Sequence, residues 1–159
     1  MKLKMIVAMD EKNGIGLNNN LPWNKREDMK YFAKKTKGNG NNAIIMGKNT
    51  WLSLPKKPLP NRDNIILSRS EQWIGHGFKT YNSIEEMKNN NTEYEEVWII
   101  GGEKIYNLLL DEEDLCEIHI SRIKDVYECD TFFPKLPERY KLIEQGYLDD
   151  DIILEVWGR

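Results

Sequence analysis

Residues 96–110 read EVWIIGGEKIYNLLL. The first half is an unbroken apolar run rich in β-branched and aromatic residues, as expected of a strand buried on both faces. A glycine pair, Gly101-Gly102, interrupts it, and the segment EKIYNLLL then reads as a helix. A strand that runs through a tight break into a helix is the repeating unit of an α/β fold.

Working outward, the same unit recurs. NAIIMG (42–47) is a strand entering KNTWLSL, a short helix. LKMIVAM (3–9) is a buried strand, and KREDMKYFAKKT (25–36) is an amphipathic helix. NIILSR (64–69) and GFKTY (77–81) are further strands, and SIEEMKNN (83–90) is a helix with Ser83 and Glu86 in capping-box spacing. The end changes character. LCEIHISRI, YKLIEQGY and DIILEVW are strands with no helix between the last two, where Asp149–Asp151 supply a turn. The pattern predicts an α/β sandwich in a single domain over 1–159. Its sheet is mostly parallel, with an antiparallel strand at the C-terminal edge.

The 159 residues are 40% hydrophobic and 31% charged, with a net charge of −3, so the chain reads as globular. No basic face stands out, which argues against a nucleic-acid partner. No run approaches the roughly 20 apolar residues of a membrane helix. MKLKMIVAMD is too short an apolar run for a secretory signal. Cys116 and Cys129 fit no zinc spacing and read as reduced thiols, so a cytoplasmic, metal-free protein is expected. The asparagine runs at 18–20, 39–42 and 89–91 read as loop filler.

In an open α/β sheet, ligands bind beyond the carboxyl ends of the strands. Three junctions there share a theme. Gly47-Lys48-Asn49-Thr50 follows AIIM, Ser68-Arg69 follows NIIL, and Gly101-Gly102 follows VWII. Glycine permits close backbone approach, helix starts present N–H groups, and Lys48 and Arg69 add charge. Each signal alone is also compatible with an ordinary turn. The stretch is neither G-x-G-x-x-G nor a P-loop. Together the three favour an extended ligand with more than one phosphate, such as a dinucleotide.

The segment GLNNNLPWNKREDMKYF (16–32) brings two adjacent acids, Glu27 and Asp28, into the start of a helix. At about 100° per residue, Met29, Phe32 and Ala33 share one face. Glu27 lies opposite, beside Lys30 and Lys34, as a solvated acid. Asp28 sits at the edge of the apolar stripe, where desolvation raises a carboxyl pKa and suits it to a polar heterocycle. The alternative, that Asp28 only stabilises the helix start, stays open on position alone. Trp23 is either a core anchor or part of a lid formed by residues 13–24 that closes over a site.

At this point NGIG, LPW, EDMKYF, IIMGKNTW, PLPNRDNIILSR, VWIIGGEKIY and DTFFP, in that order, resemble dihydrofolate reductase across residues 3–159. The resemblance implies an eight-stranded, mostly parallel sheet with four helices. It implies reduction of 7,8-dihydrofolate to 5,6,7,8-tetrahydrofolate by NADPH, in support of one-carbon metabolism. It also implies binding of antifolate inhibitors by a monomer.

The acid five residues after the LPW tryptophan is Asp28, which the resemblance makes the group that holds the pterin and promotes protonation at N5. Trp23, Leu21 and Ser121 stand beside it, Ser121 where the family usually has threonine. Ile6, Val7, Ala8, Met29, Phe32, Leu54, Leu59, Ile100 and Tyr106 are implied to line the substrate site, and Arg62 to grip the glutamate α-carboxylate. For NADPH the implied set is Ala8, Ile15, Gly16, Asn19, Gly47, Lys48, Asn49, Thr50, Leu67, Ser68, Arg69, Ile100, Gly101, Gly102, Lys104, Ile105, Tyr106 and Thr131. Lys48 and Arg69 are the cations expected to favour the 2′-phosphate. Glu103 departs from the small residue common in the family, and a carboxylate there repels a pyrophosphate unless it points away. Two rivals are a pterin or pyrimidine reductase of related fold and a non-catalytic nucleotide-binding module. The LPW…Asp28 and Arg62 blocks oppose the first, and retention of Asp28 and the glycine pair opposes the second.

Overall fold

The computed structural model describes residues 1–69, 75–90 and 93–159. The chain runs β1 (Lys2–Met9), β2 (Gly14–Gly16), α1 (Arg26–Lys37), β3 (Ala43–Met46), α2 (Lys48–Ser53), β4 (Asp63–Leu67) and β5 (Lys79–Tyr81). It continues through α3 (Ile84–Asn90), β6 (Glu96–Ile99), α4 (Glu103–Leu109), β7 (Leu115–Ile123), β8 (Thr131–Phe132), β9 (Lys141–Asp149) and β10 (Ile152–Gly158).

Eight strands form one sheet in the order β5-β4-β3-β6-β1-β7-β10-β9. Pairing is parallel from β5 across to β7, and β10 runs antiparallel to both β7 and β9. Antiparallel pairing thus enters at the C-terminal end as expected. β10 lies one strand in, and the exposed β9 forms the edge.

The central strands are apolar on both sides because both faces are covered. One face packs Leu3, Met5, Val7, Ile45, Ile65, Val97 and Ile99 against α3 and α4 residues such as Met87, Ile105 and Leu109. The other packs Ile6, Ile44, Met46, Ile66 and Trp98 against Tyr31 and Phe32 of α1 and Trp51 of α2. Each fully buried Ile, Leu or Val stabilises the fold by about 1.5–3 kcal/mol.

Residues 25–36 were expected to be helical, and α1 follows that within a residue. Glu27 and Asp28 lie in its first turn and Lys34, Lys35 and Lys37 in its last, matching the helix dipole. It ends at Gly38, whose φ of 51° is costly for most other residues. The packed face differs from the expected one. Asp28 and Thr36 are buried and Tyr31, Phe32 and Lys35 half-buried, a spacing of i, i+3, i+4, i+7 and i+8. Met29 is 56% exposed. The apolar stripe is therefore rotated by about one residue, and Asp28 sits within the buried face rather than at its edge. Hydrophobicity misplaced the face because its two buried members are a carboxylate and a hydroxyl.

Three further expectations are corrected. The 13–24 segment is not all loop, since β2 pairs with β8 in a separate two-stranded ribbon. Asn42 is not filler. It is 2% exposed, its Nδ2 donates to Thr36 O, and its Oδ1 accepts from Glu96 N–H. Asn89 and Asn90 belong to α3, while Asn91 of that run lies outside the described residues. The capping box is half formed. Glu86 N–H donates to Ser83 Oγ, but the Glu86 carboxylate accepts from Asn82 N–H, one residue earlier than the pattern requires.

Candidate active site

The sheet order places the carboxyl ends of β4, β3, β6 and β1 side by side. Gly47 N–H donates to Gly101 O, and Ile100 N–H to Ile45 O, so the loops after β3 and β6 are joined. Gly101 has a φ of 119° and its peptide to Gly102 is cis. A Cβ on Gly101 would lie 3.2 Å from the Tyr106 ring, and one on Gly47 would lie 3.1 Å from Ile105. Thr50 Oγ1 would stand 3.4 Å from a Cβ on Gly102. Side chains at these three positions would fill the very space that the loops enclose. Ser68 and exposed Arg69 end the neighbouring strand, and Lys48 opens α2. This glycine-lined cradle with cations at its rim fits a phosphate-bearing dinucleotide.

The adjacent cleft lies between α1 and the sheet face that carries Ile6, Ala8, Ile100 and Ser121. Asp28 is 9% exposed, and burial pushes its carboxyl above the usual carboxylate range. A hydrogen bond with the Ser121 hydroxyl opposes that rise. Ser121 is itself buried on β7, which fixes the hydroxyl opposite the first turn of α1. Tyr106 O–H donates to Ile6 O at 2.7 Å, tying α4 to β1. Phe32, Leu54, Leu59 and Ile100 are partly buried around the same cluster. Val7 turns its side chain into the opposite core, so only its backbone faces the cleft.

Arg62 is held at the far end. Its Nη1 donates to Thr36 Oγ1 at 2.8 Å and its Nε to Pro60 O at 2.9 Å. The loop carrying it is braced by Asn64, which bonds Leu59 N–H, Leu59 O and Arg62 O. Partial burial lowers the Arg62 pKa from a very high value, and a guanidinium keeps its charge. Sequence reasoning missed Thr36 and Asn64. Both look like ordinary polar residues, and only their position one turn from Phe32 and two residues from Arg62 hinted at them.

The 13–24 segment is tied down at both ends. Asp10, 1% exposed, accepts from the backbone N–H groups of Lys12, Gly14 and Tyr127, and these bonds hold its pKa below the ordinary carboxylate value against burial. Asp130 N–H donates to Gly16 O, and the Asp130 carboxylate accepts from Asn18 N–H. Ile15 packs on the core, whereas Asn19 and Leu21 are exposed. Thr131 presents Oγ1 at 2.9 Å from where a Gly16 Cβ would be. Trp23 is a buried anchor among Ala8, Ile123, Tyr127 and Ile152, yet its Nε1 has no acceptor among the described residues. Of the other expected contacts, Asn49 and Lys104 are exposed, and Leu67 is buried in the core.

Beneath the cleft runs a polar chain. Tyr31 Oη lies 2.6 Å from His119 Nδ1, and His119 Nε2 lies 2.9 Å from Glu117. Lys4 bridges Glu117 at 3.2 Å and Glu96 at 2.6 Å. Glu27, by contrast, meets only Lys30, at 3.5 Å, among the described residues.

A family model described as dihydrofolate reductase matches residues 2–153. The chain is 36% identical to the dihydrofolate reductase of Aedes albopictus over 95% of its own length and 87% of that protein. It is 38% identical to that of Candida albicans over 93% and 88% of the two chains. In three dimensions it resembles the dihydrofolate reductase of Enterococcus faecalis complexed with NADP(H) and RAB-propyl. That match has a TM-score of 0.86 and 28% identity, over 99% of this chain and 96% of that one.

Proposed function

The chain belongs to the dihydrofolate reductase family and reduces 7,8-dihydrofolate to 5,6,7,8-tetrahydrofolate with NADPH; we propose that Asp28 is the residue that binds the pterin and promotes its protonation. The observation that carries this is a buried carboxyl, raised in pKa by that burial, with the Ser121 hydroxyl as its partner, on the sheet-facing side of α1. Such a group offers two oxygens side by side, which match the 2-amino group and ring N3 of a pterin.

NADPH supplies the hydride, delivered from nicotinamide C4 to pterin C6. The residues of the chain prepare that step. Asp28 favours a proton on N5, and an imine carbon accepts hydride far more readily once its nitrogen is protonated. Ser121 orients the carboxylate, and the buried N–H of Trp23 offers a donor on the same side of β1. Phe32, Leu54, Leu59 and Ile100 exclude water from the benzoyl path. Arg62, pre-set by Thr36, pairs with the α-carboxylate of the substrate. Gly47, Gly101 and Gly102 would admit the pyrophosphate, with Lys48, Thr50 and Arg69 to hold its phosphates. Ile15 and Gly16 would cover the nicotinamide.

The monomeric state and the cytoplasm remain part of this proposal. Among the described residues, no helix is long and apolar enough to cross a membrane. The test is loss of the near-ultraviolet absorbance of NADPH on adding dihydrofolate, compared for the wild-type protein and Asp28→Asn. Equal rates would overturn the role given to Asp28.

A further inference from the structure

Glu103 occupies the first residue of α4, directly after the glycine pair. A carboxylate so near a pyrophosphate site calls for an explanation, and its geometry supplies one. Its Oε2 accepts the backbone N–H of Phe132 at 2.6 Å, a short charge-assisted bond. Phe132 lies on β8, whose other edge is taken by β2 through the Gly14–Phe132 and Gly16–Thr131 pairings. Flanking bonds from Asp130 N–H to Gly16 O and from Phe133 N–H to Asn13 O continue that edge. β8 therefore has β2 on one side, while its Phe132 N–H is taken by the Glu103 side chain of α4.

We propose that Glu103 is a positioning residue that latches the β2–β8 ribbon onto the start of α4. The ribbon carries Ile15 and Gly16, so the latch fixes the lid relative to the glycine pair. This answers the repulsion problem as well. The carboxylate is turned towards β8 and is neutralised in part by an N–H and by the helix start. The inference rests on the NADPH reading of the glycine cradle, and it names a residue which that reading left outside the site.

The test uses Glu103→Ala, which removes the acceptor, and Glu103→Gln, which removes the charge but keeps an acceptor oxygen. Amide hydrogen exchange of Phe132 is measured in the cofactor-free protein, and NADPH dissociation is measured by stopped flow. Glu103→Ala is expected to speed Phe132 exchange about tenfold and NADPH release about fivefold. Glu103→Gln is expected to restore both to within about twofold of wild type.

Unchanged exchange in Glu103→Ala overturns the latch. Faster exchange with unchanged release overturns its link to the cofactor. If both variants hold NADPH more tightly than wild type, the carboxylate is only a repelling charge, and the proposal is wrong. A wild-type protein that bound no NADPH would refute the cofactor reading instead, and the exchange arm would still decide the latch.

Discussion

Replacing Asp28 by asparagine keeps the shape of the side chain and removes its charge. Two opposite effects follow from the burial of this residue. The first is on activity. A positioned acid–base group contributes about 10²–10⁴ in rate, so hydride transfer at neutral pH should fall by about that factor while NADPH binding stays within about twofold. The second is on stability. Burial raises the Asp28 pKa above its ordinary 3.8. Between that value and the folded one, the folded state holds more protons than the unfolded state, so stability declines as pH rises through the window. At neutral pH the buried charge is a liability, and asparagine should stabilise the protein by about 1 kcal/mol. The gain should vanish as pH drops below about 4.

Urea unfolding across pH measures the second effect, and single-turnover kinetics across pH the first. Wild-type hydride transfer should fall as pH rises through the Asp28 pKa, and the variant should lose that inflection. An asparagine variant that is both less stable at neutral pH and within threefold of wild-type rate would refute the argument. So would equal damage from Glu27→Gln, since Glu27 pairs at the surface with Lys30.

Other outcomes follow from the remaining supports. Thr36→Val deletes the acceptor for Arg62 Nη1 and should raise KM for dihydrofolate about tenfold with kcat little changed; an unchanged KM would detach Arg62 from the substrate. The Lys48→Ala, Arg69→Ala double variant should narrow the preference for NADPH over NADH by at least about tenfold, read from the two KM values. Asp10 is held below its usual pKa by backbone N–H bonds. Its contribution is therefore full above the unfolded value of 3.8 and is lost as pH falls through the lower folded one. Asp10→Asn should flatten that acid limb in urea unfolding.

Strands β1, β3, β4 and β6 were legible because their continuous apolar runs leave few alternatives. The strand–glycine–helix junctions were legible too, and the structure brings those after β3 and β6 together through the Gly47 N–H to Gly101 O bond. The ribbon was not legible: GIG and TF are too short to show alternation, and what defines them is pairing across more than a hundred residues. The buried face of α1 was misjudged because Asp28 and Thr36 occupy it, and a hydropathy pattern assigns such residues to solvent. Glu103 raised a question that sequence left unanswered, because the direction of a side chain depends on which amide lies within reach.

The polar chain under the cleft has one more consequence. Glu117 as a carboxylate only accepts, so a His119 that donates to it carries that N–H on Nε2, and burial lowers the imidazole pKa towards a neutral ring. Nδ1 is then a lone pair, and Tyr31 must donate to it. The Tyr31–His119 bond thereby joins Asp28–Ser121, Thr36–Arg62 and the packing of Phe32 in fixing which face of α1 meets the sheet. A slip of one residue would swing the helix by about 100° and bring Lys30 or Phe32 to that nitrogen, neither of which suits the place. Asp28 stands three residues along the same helix. The aim of the carboxylate is thus supported from a second point on β7, one helical turn away from its own bond with Ser121.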